Sequence, residues 1–598
     1  MKRYCICVFW EKDGIVRDYF TYYLKGLKKV TDKILVVVNG LLSDESRKLL
    51  SDLDTDILVR ENKGIDFWAY KAGIEHLGYD TLAQYDELIL TNCTCYGPIR
   101  PFDEMFNDMK SRYCDFWGIT QHPDSDFRVI KNKKSTKVIR HIQSYFIVLK
   151  KNLFMSKAFK NYWEQLRQVK NLLEAVGYHE IHFTKYFEDM GFKSDSYIDL
   201  KKYEDYTDNP MLISDKLLKE DKLPVVKRKV FFNHKTMLYS MLTEQAQKVL
   251  KFLDKETDYN INMIYQDLLA TQKMSDLQKS LHFNYILPDK ELSQENEFSK
   301  TALIMYIYYP DLVEYCYNYA LSMPANSDIY LVTSRKDTKE VIEQQFKNFP
   351  CNRLEIRLKE NRGRDVSAYL VTCKDVFDNY EYICCVHDKK GSETKKIVSF
   401  NFMEHCFKSC LNSKAYVNNV LNILKNNPKI GLLTPLPLEF SVYKTIGYGL
   451  IDNVENTKAL FNKLNLQIPF DYYPIIPYGS MFWIKGNAIK PLFRHHWEYK
   501  DFPEEPLKTD GTISHAIERI YSFVAQEAGY FTGLVSPDSY APIYLDNIIG
   551  LYSSSKIHIR NKIGILQKIF SITNEYKKGQ KYKRIYILGK KFLIKKGK

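Results

Sequence analysis

Among its 12 cysteines the chain has no Cys-x-x-Cys pair, and Cys5/Cys7 and Cys93/Cys95 are spaced by a single residue. Neither a zinc ribbon nor a thioredoxin-like site is signalled, and reduced, mostly buried thiols are the expectation. His405, Cys406 and Cys410 could share a helix face as metal ligands, but no second cluster accompanies them. The chain also lacks any run near the roughly 18 to 20 uncharged apolar residues that cross a bilayer. Its start, Met1-Lys2-Arg3-Tyr4-Cys5, has no apolar signal core, so the expected compartment is the cytoplasm. With only 25 Gly and 20 Pro in 598 residues, collagen-like and low-complexity classes are excluded.

What is present is ordinary globular composition, 45% hydrophobic and 27% charged, and at roughly 150 residues per domain this length implies two to four domains. The net charge of +14 is concentrated. Residues 555–598 carry twelve Lys and two Arg against Glu575 alone, a net of +13, while the other 554 residues net +1. Domains without basic stripes argue against a nucleic-acid binder.

The chain repeats itself. Glu61-Asn62-Lys63-Gly64-Ile65-Asp66-Phe67-Trp68-Ala69-Tyr70 matches Glu360-Asn361-Arg362-Gly363-Arg364-Asp365-Val366-Ser367-Ala368-Tyr369 at seven patterned positions in ten, offset by 299. Each copy follows two apolar strand-like runs (Tyr4 to Trp10 and Lys33 to Val38; Ala302 to Tyr309 and Asp328 to Thr333) and precedes a third (Tyr85 to Leu90; Tyr380 to Cys385). Strands alternating with helices imply parallel sheets with ligands at their carboxyl edges. Later, Glu180 stands eleven residues before Gly191-Phe192 and Glu518 eleven before Gly529-Tyr530. The expected organisation is a first domain at 1–235, a helical connector at 236–298, a second domain at 299–554 and a tail at 555–598.

In the repeated turn the Gly would take a tight conformation and Asp66 or Asp365 would cap the following helix. Its Asn62 or Asn361, its Asp and Arg364 could instead grip a nucleotide. After the third strand the second half reads His387-Asp388-Lys389-Lys390-Gly391-Ser392, an acid, a His and two Lys that suit a leaving diphosphate. Asp388 could hold a divalent cation, Mg or Mn, although one carboxylate is a thin ligand set and the lysines could replace the ion. The first half has Asn92-Cys93-Thr94-Cys95 there, with Cys93 where Asp388 stands. Asp510 would cap the next helix, on which His515, Glu518 and Arg519 share a face, so Glu518 could serve as general base or belong to a surface charge network.

These phrases, with Tyr478-Gly479-Ser480-Met481-Phe482-Trp483, Asp501 to Pro506 and His141 to Phe146, resemble GT-A glycosyltransferases and, more closely, the rhamnan synthesis protein F family. The resemblance implies two tandem GT-A-like α/β domains with Rossmann-like, mostly parallel sheets. It further implies a cytoplasmic, inverting enzyme that extends a rhamnose-containing polysaccharide from a nucleotide sugar, dTDP-β-L-rhamnose. Glu518 would be the base, with Asp510 beside it, and Glu180 the base of the first half. Asn361, Arg364, Asp365, His387, Asp388, Lys389 and Lys390 would hold the donor, as would Asn62, Asp66 and Asn92 in the first half. Trp483, Glu504, Glu505, His515 and Arg519 would meet a lipid-linked oligosaccharide or polysaccharide acceptor. The family's usual Asn-Asp-Ser reads Asn92-Cys93-Thr94 here and loses its acid. The rival reading is a non-catalytic assembly or glycan-binding protein with a retained transferase fold.

The tail carries Ile559, Ile563, Leu566 and Phe570 at helical spacing among its lysines. A basic amphipathic segment of this kind would lie on an anionic membrane, on its inner face and beside other polysaccharide-assembly enzymes.

Overall fold

The computed structural model describes the chain except for residues 132–133, 233–243, 293–297, 299, 391–395, 438–448, 507–509, 551–569, 578–579, 588–589 and 596–598. Two sheets dominate. The first contains β1 (Arg3–Phe9), β2 (Lys33–Asn39), β3 (Asp56–Arg60), β4 (Glu87–Asn92), β5 (Phe116–Gly118), β6 (Phe146–Lys150) and β7 (Ser194–Ser196), in the order β7-β5-β6-β4-β1-β2-β3. The second contains β8 (Asn284–Leu287), β9 (Thr301–Tyr306), β10 (Asp328–Thr333), β11 (Arg353–Leu358), β12 (Tyr382–His387), β13 (Ile430–Pro435), β14 (Phe482–Lys485) and β15 (Phe531–Pro537). Its order, β8-β15-β13-β14-β12-β9-β10-β11, repeats that of the first and adds β8 at one edge.

Both sheets are parallel apart from one strand, β6 or β14, which runs antiparallel to its two neighbours. The central strands β1, β4, β9 and β12 are buried nearly throughout, as expected of strands covered by helices on both faces. The expected runs are these strands, shifted by one to three residues. The strand next to the repeated turn, β3 or β11, was not expected: it lies at the sheet edge, is only partly buried and carries charged residues such as Arg353, Glu355 and Arg357, so no apolar run marks it.

The connector is helical at Gln245–Glu256, Asn262–Thr271 and Met274–Ser280, and β8, also within 236–298, joins the second sheet by pairing with β15. It is welded to both halves. Buried Arg228 pairs with Asp267 through Nε and Nη2, each at 3.0 Å, and with Glu11 at 2.6 Å, while Tyr96 donates to Asp267. On the other side Gln526 donates to the carbonyls of Leu269 and Gln272.

The tail departs from the helical expectation where it is described. Phe570–Lys577, Gln580–Ile587 and Lys590–Lys595 form a three-stranded antiparallel sheet, so Phe570 begins a strand. β-branched and aromatic residues compete with the helical spacing in this segment: Tyr582, Ile585, Tyr586 and Ile587 crowd the middle strand and favour extended backbone. Ile559, Ile563 and Leu566 lie outside the described residues, as do Leu242, Gly391, Ser392 and Leu507 to Thr509. Among the described residues no helix is long and apolar enough to cross a membrane.

Candidate active site

The repeated turn is left-handed over two consecutive residues in both halves: Gly64 and Ile65 have φ of 78° and 58°, and Gly363 and Arg364 have φ of 71° and 45°. Glycine enters that region freely, whereas a β-branched Ile or a long Arg does so under strain of order 1–3 kcal/mol. The turn opens a helix in each half, with Asp66 and Asp365 in the first turn. Neither Asp caps it. Gly64 and Gly363 hold the cap position without a side-chain bond, and Asp66 instead accepts from Asn92 Nδ2 at 2.9 Å. Arg364 reaches across to Glu505 with two contacts of 3.3 and 3.4 Å.

At the carboxyl end of β12, the Asp388 N–H donates to the Tyr306 carbonyl at 3.1 Å. Its carboxylate accepts from the Tyr308 N–H at 3.0 Å and the Tyr309 N–H at 2.7 Å. Burial pushes the Asp388 carboxyl up to about 6 against the pull of these N–H groups, His387 and Lys390. His387 places Nδ1 2.7 Å from the Asp388 carbonyl and Nε2 2.6 Å from that of Gly479, with the Asp365 carboxylate 3.9 Å away.

Glu518 projects from helix Ile513–Glu527 toward the same edge. Its Oε1 accepts the Gly479 N–H at 2.5 Å and its Oε2 pairs with Arg519 at 3.0 Å. Gly479 and Ser480, with φ of 76° and 51°, form a third left-handed pair, just ahead of β14. Thr512, not Asp510, caps the helix, in a capping box with His515. Asp510 accepts from Asn453 Nδ2 at 2.8 Å and lies 3.7 Å from Arg519, which holds it behind Glu518.

These groups line one cavity of about 570 Å³. Its walls include Asn361, Arg364, Asp365, His387, Asp388, Lys389, Lys390, Glu505, His515 and Glu518, from four stretches of chain far apart in sequence but joined at one sheet edge. Tyr306, Tyr308, Tyr309, Ser480 and Ser514 also line it. Sequence reasoning passed over these, although Tyr308-Tyr309-Pro310 directly after a buried strand is a loop signal at the ligand edge. Three expectations fail here, those for Trp483, Glu504 and Arg519. Trp483 is fully buried and its Nε1 donates to the Cys410 carbonyl, so it packs the core and meets no acceptor. Glu504 is 86% exposed beside Arg362 and does not line the cavity. Arg519 is buried and acts through Glu518, and His405, Cys406 and Cys410 are core residues, His405 Nε2 lying 2.8 Å from the Leu436 carbonyl.

The first half repeats the frame with different chemistry. Glu180 Oε1 accepts from the N–H and hydroxyl of Ser144, each at 2.9 Å, just ahead of β6, as Glu518 accepts from Gly479 ahead of β14. Burial opposes its ionisation, but His141, Lys227 and Ser144 outweigh burial and hold the carboxyl below its usual range. Asp66 moves the other way, up to about 6, through burial and the Glu180 charge. Asn62 stays exposed. His141 and Lys227 had no spacing signal that tied them to Glu180.

A divalent cation does not fit the donor set around Asp388. Both of its oxygens already accept backbone N–H bonds, two lysines follow it directly, and among the described residues no group of three or more His, Cys, Asp or Glu could hold a metal ion. The positive charge at this edge comes from side chains.

The sequence matches the model of "Rhamnan synthesis protein F" over residues 34–530. The chain belongs to this family. Among individual relatives, the "Uncharacterized protein WxcX" of Xanthomonas campestris pv. campestris (strain B100) is 27% identical over 172 residues, 29% of this chain and 24% of that protein. The "Uncharacterized protein y4gN" of Sinorhizobium fredii is 26% identical over 187 residues, 31% of this chain and 46% of that protein. The chain thus spans about a quarter to a half of the length of these relatives. Among solved structures, the glycosyltransferase GlyE of Streptococcus pneumoniae TIGR4 aligns over 65% of this chain and 87% of its own, at 9% identity and a TM-score of 0.22. The 4-diphosphocytidyl-2C-methyl-D-erythritol synthase of Anaerococcus prevotii aligns over 33% and 86%, at 13% identity and the same score.

Proposed function

We propose that the second half is an inverting hexosyltransferase of surface-polysaccharide synthesis. It would move a sugar, rhamnose by the family's name and so from dTDP-β-L-rhamnose, onto a lipid-linked oligosaccharide or polysaccharide. The observation that carries this reading is the single cavity in which Glu518 faces Asp388, Lys389 and Lys390. The carboxylate takes the proton of the acceptor hydroxyl, that oxygen attacks the anomeric carbon from the face opposite the leaving group, and the nucleoside diphosphate departs toward the lysines. Arg519 and the Gly479 N–H fix both oxygens of Glu518, so little reorganisation is needed when the hydroxyl arrives. Asp388 positions the Tyr308–Tyr309 turn that forms one wall, and Asn361, Arg364 and Asp365 are disposed for the nucleoside.

The work would be done at the inner face of the membrane, next to the lipid-linked acceptor and other assembly enzymes. Support comes from Ile543, Leu545, Ile548 and Ile549, each more than half exposed, directly ahead of the basic residues 555–598. Basic residues near an anionic surface contribute ~1 kcal/mol each.

A donor screen with purified protein and a lipid-linked acceptor, followed by linkage analysis, tests the reading. Transfer from a nucleotide sugar with inversion supports it. Absence of both transfer and donor hydrolysis across the nucleotide sugars would favour an assembly or glycan-binding role.

A further inference from the structure

The loop after β4 has lost the cations of its counterpart. Cys93 lies where Asp388 lies, so Thr94 and Cys95 take the places of Lys389 and Lys390. Yet a lysine reaches that edge from 132 residues beyond Cys95 in the chain. The two-residue strand Val226–Lys227 pairs antiparallel with Cys95–Tyr96, and Lys227 sits directly opposite Cys95. The next residue, Arg228, fixes this strand: its N–H donates to the Thr94 carbonyl at 2.9 Å and its guanidinium is buried between Glu11 and Asp267. Lys227 is therefore held at the edge by a buried ion-pair network.

The Lys227 ammonium is partly buried and, among the described residues, makes no hydrogen bond and no ion pair within 4 Å; it lies 4.8 Å from the Tyr145 ring centroid. Lys389 likewise lies over a ring, its ammonium 4.7 Å from the Phe402 centroid, but it is exposed, and among the described residues it makes no ion pair within 4 Å. An ammonium withdrawn from water without an acceptor is costly unless a ligand supplies one. Glu180 influences Lys227 but is already engaged by Ser144.

We propose that the first half is a second diphosphate-binding site, in which Lys227 supplies the charge that the second half takes from Lys389 and Lys390. The inference rests on the reading of the second-half loop as a diphosphate site. The diphosphate could belong to a soluble nucleotide or to the lipid anchor of an acceptor, and both present the same oxygens to the ammonium.

Isothermal titration of the full chain separates these cases, with dTDP, UDP, geranyl diphosphate and inorganic pyrophosphate as probes. Two equivalents are expected. Lys227→Met should weaken one of them about tenfold or more, Lys227→Arg should retain it, and Lys389→Met/Lys390→Met should weaken the other. In each variant the untouched equivalent reports the folded fraction. Binding of dTDP or UDP at the Lys227 equivalent assigns it to a nucleotide, and binding of geranyl diphosphate alone assigns it to the lipid. A single equivalent lost in Lys389→Met/Lys390→Met, or two equivalents unchanged in Lys227→Met, would overturn the proposal. A single equivalent lost only in Lys227→Met would sustain it while removing the second-half reading.

Discussion

Cys93 and Asp388 occupy one seat in two sheets. Each donates its backbone N–H to the facing strand, Cys93 to Val8 at 3.0 Å and Asp388 to Tyr306 at 3.1 Å. Each side chain then takes an N–H from the loop beyond, Trp10 at 3.4 Å from the Cys93 sulfur and Tyr308 at 3.0 Å from the Asp388 carboxylate. The thiol is a weak acceptor and the carboxylate a strong one. Asp388→Asn turns an amide N–H toward backbone donors, so it should destabilise the protein by about 1–3 kcal/mol. Donor hydrolysis should fall with it. Urea denaturation and a hydrolysis assay check both, and unchanged turnover would remove Asp388 from the donor site.

The left-handed turns set a second expectation. A Cβ on Gly363 would lie 2.6 Å from the Phe502 ring and one on Gly64 2.2 Å from Trp68, in addition to the strain of φ near 70–80°. Gly363→Ala and Gly64→Ala should each cost about 1–3 kcal/mol, read as a lowered denaturation midpoint. Gly363→Ala should also weaken nucleotide binding, because Arg364 and Asp365 follow directly.

Asp66 makes stability depend on pH. Its carboxyl is raised from 3.8 to about 6 in the folded chain, so the folded state binds the proton more tightly than the unfolded one. Stability from this group is fully present below 3.8 and is lost as pH rises through about 6. Asp66→Asn should leave stability near that of the wild type at the acid end of this window. Above pH 6 the variant should be the more stable by as much as about 3 kcal/mol. Equal stability differences at pH 4.5 and 7.5 would contradict the assignment.

Removal of residues 555–598 should abolish flotation with vesicles containing phosphatidylserine and leave transfer to a water-soluble acceptor intact. If flotation is undiminished, the tail is not the anchor. Replacing Ile548 and Ile549 by Ser in the full chain should weaken flotation part-way, since each removes an exposed apolar contact.

Much of the site was legible because the repeat is local: Glu360 to Asp365 and His387 to Lys390 each sit within one strand-end loop, and the eleven-residue spacing to Gly-aromatic located both Glu180 and Glu518 on equivalent helices. What escaped was long-range or ambiguous in period. Lys227 and Arg228 reach the first-half edge through a two-residue strand, too short for any pattern to mark. The resemblance places Trp483 at the acceptor, but an aromatic beside a Gly-Ser turn fits a core strand as well as a surface. Only burial separates these. The buried Arg228–Asp267–Glu11 network joins residues more than 200 positions apart in sequence, and charge along the chain gives no sign of it.

The central claim is that Glu518 is the base of sugar transfer, and single-turnover transfer by Glu518→Gln with bound donor tests it most directly. The variant should bind dTDP as the wild type does, since Gln can still accept the Gly479 N–H. Its transfer rate should be lower by about 10²–10⁴. Transfer at the wild-type rate would contradict the account.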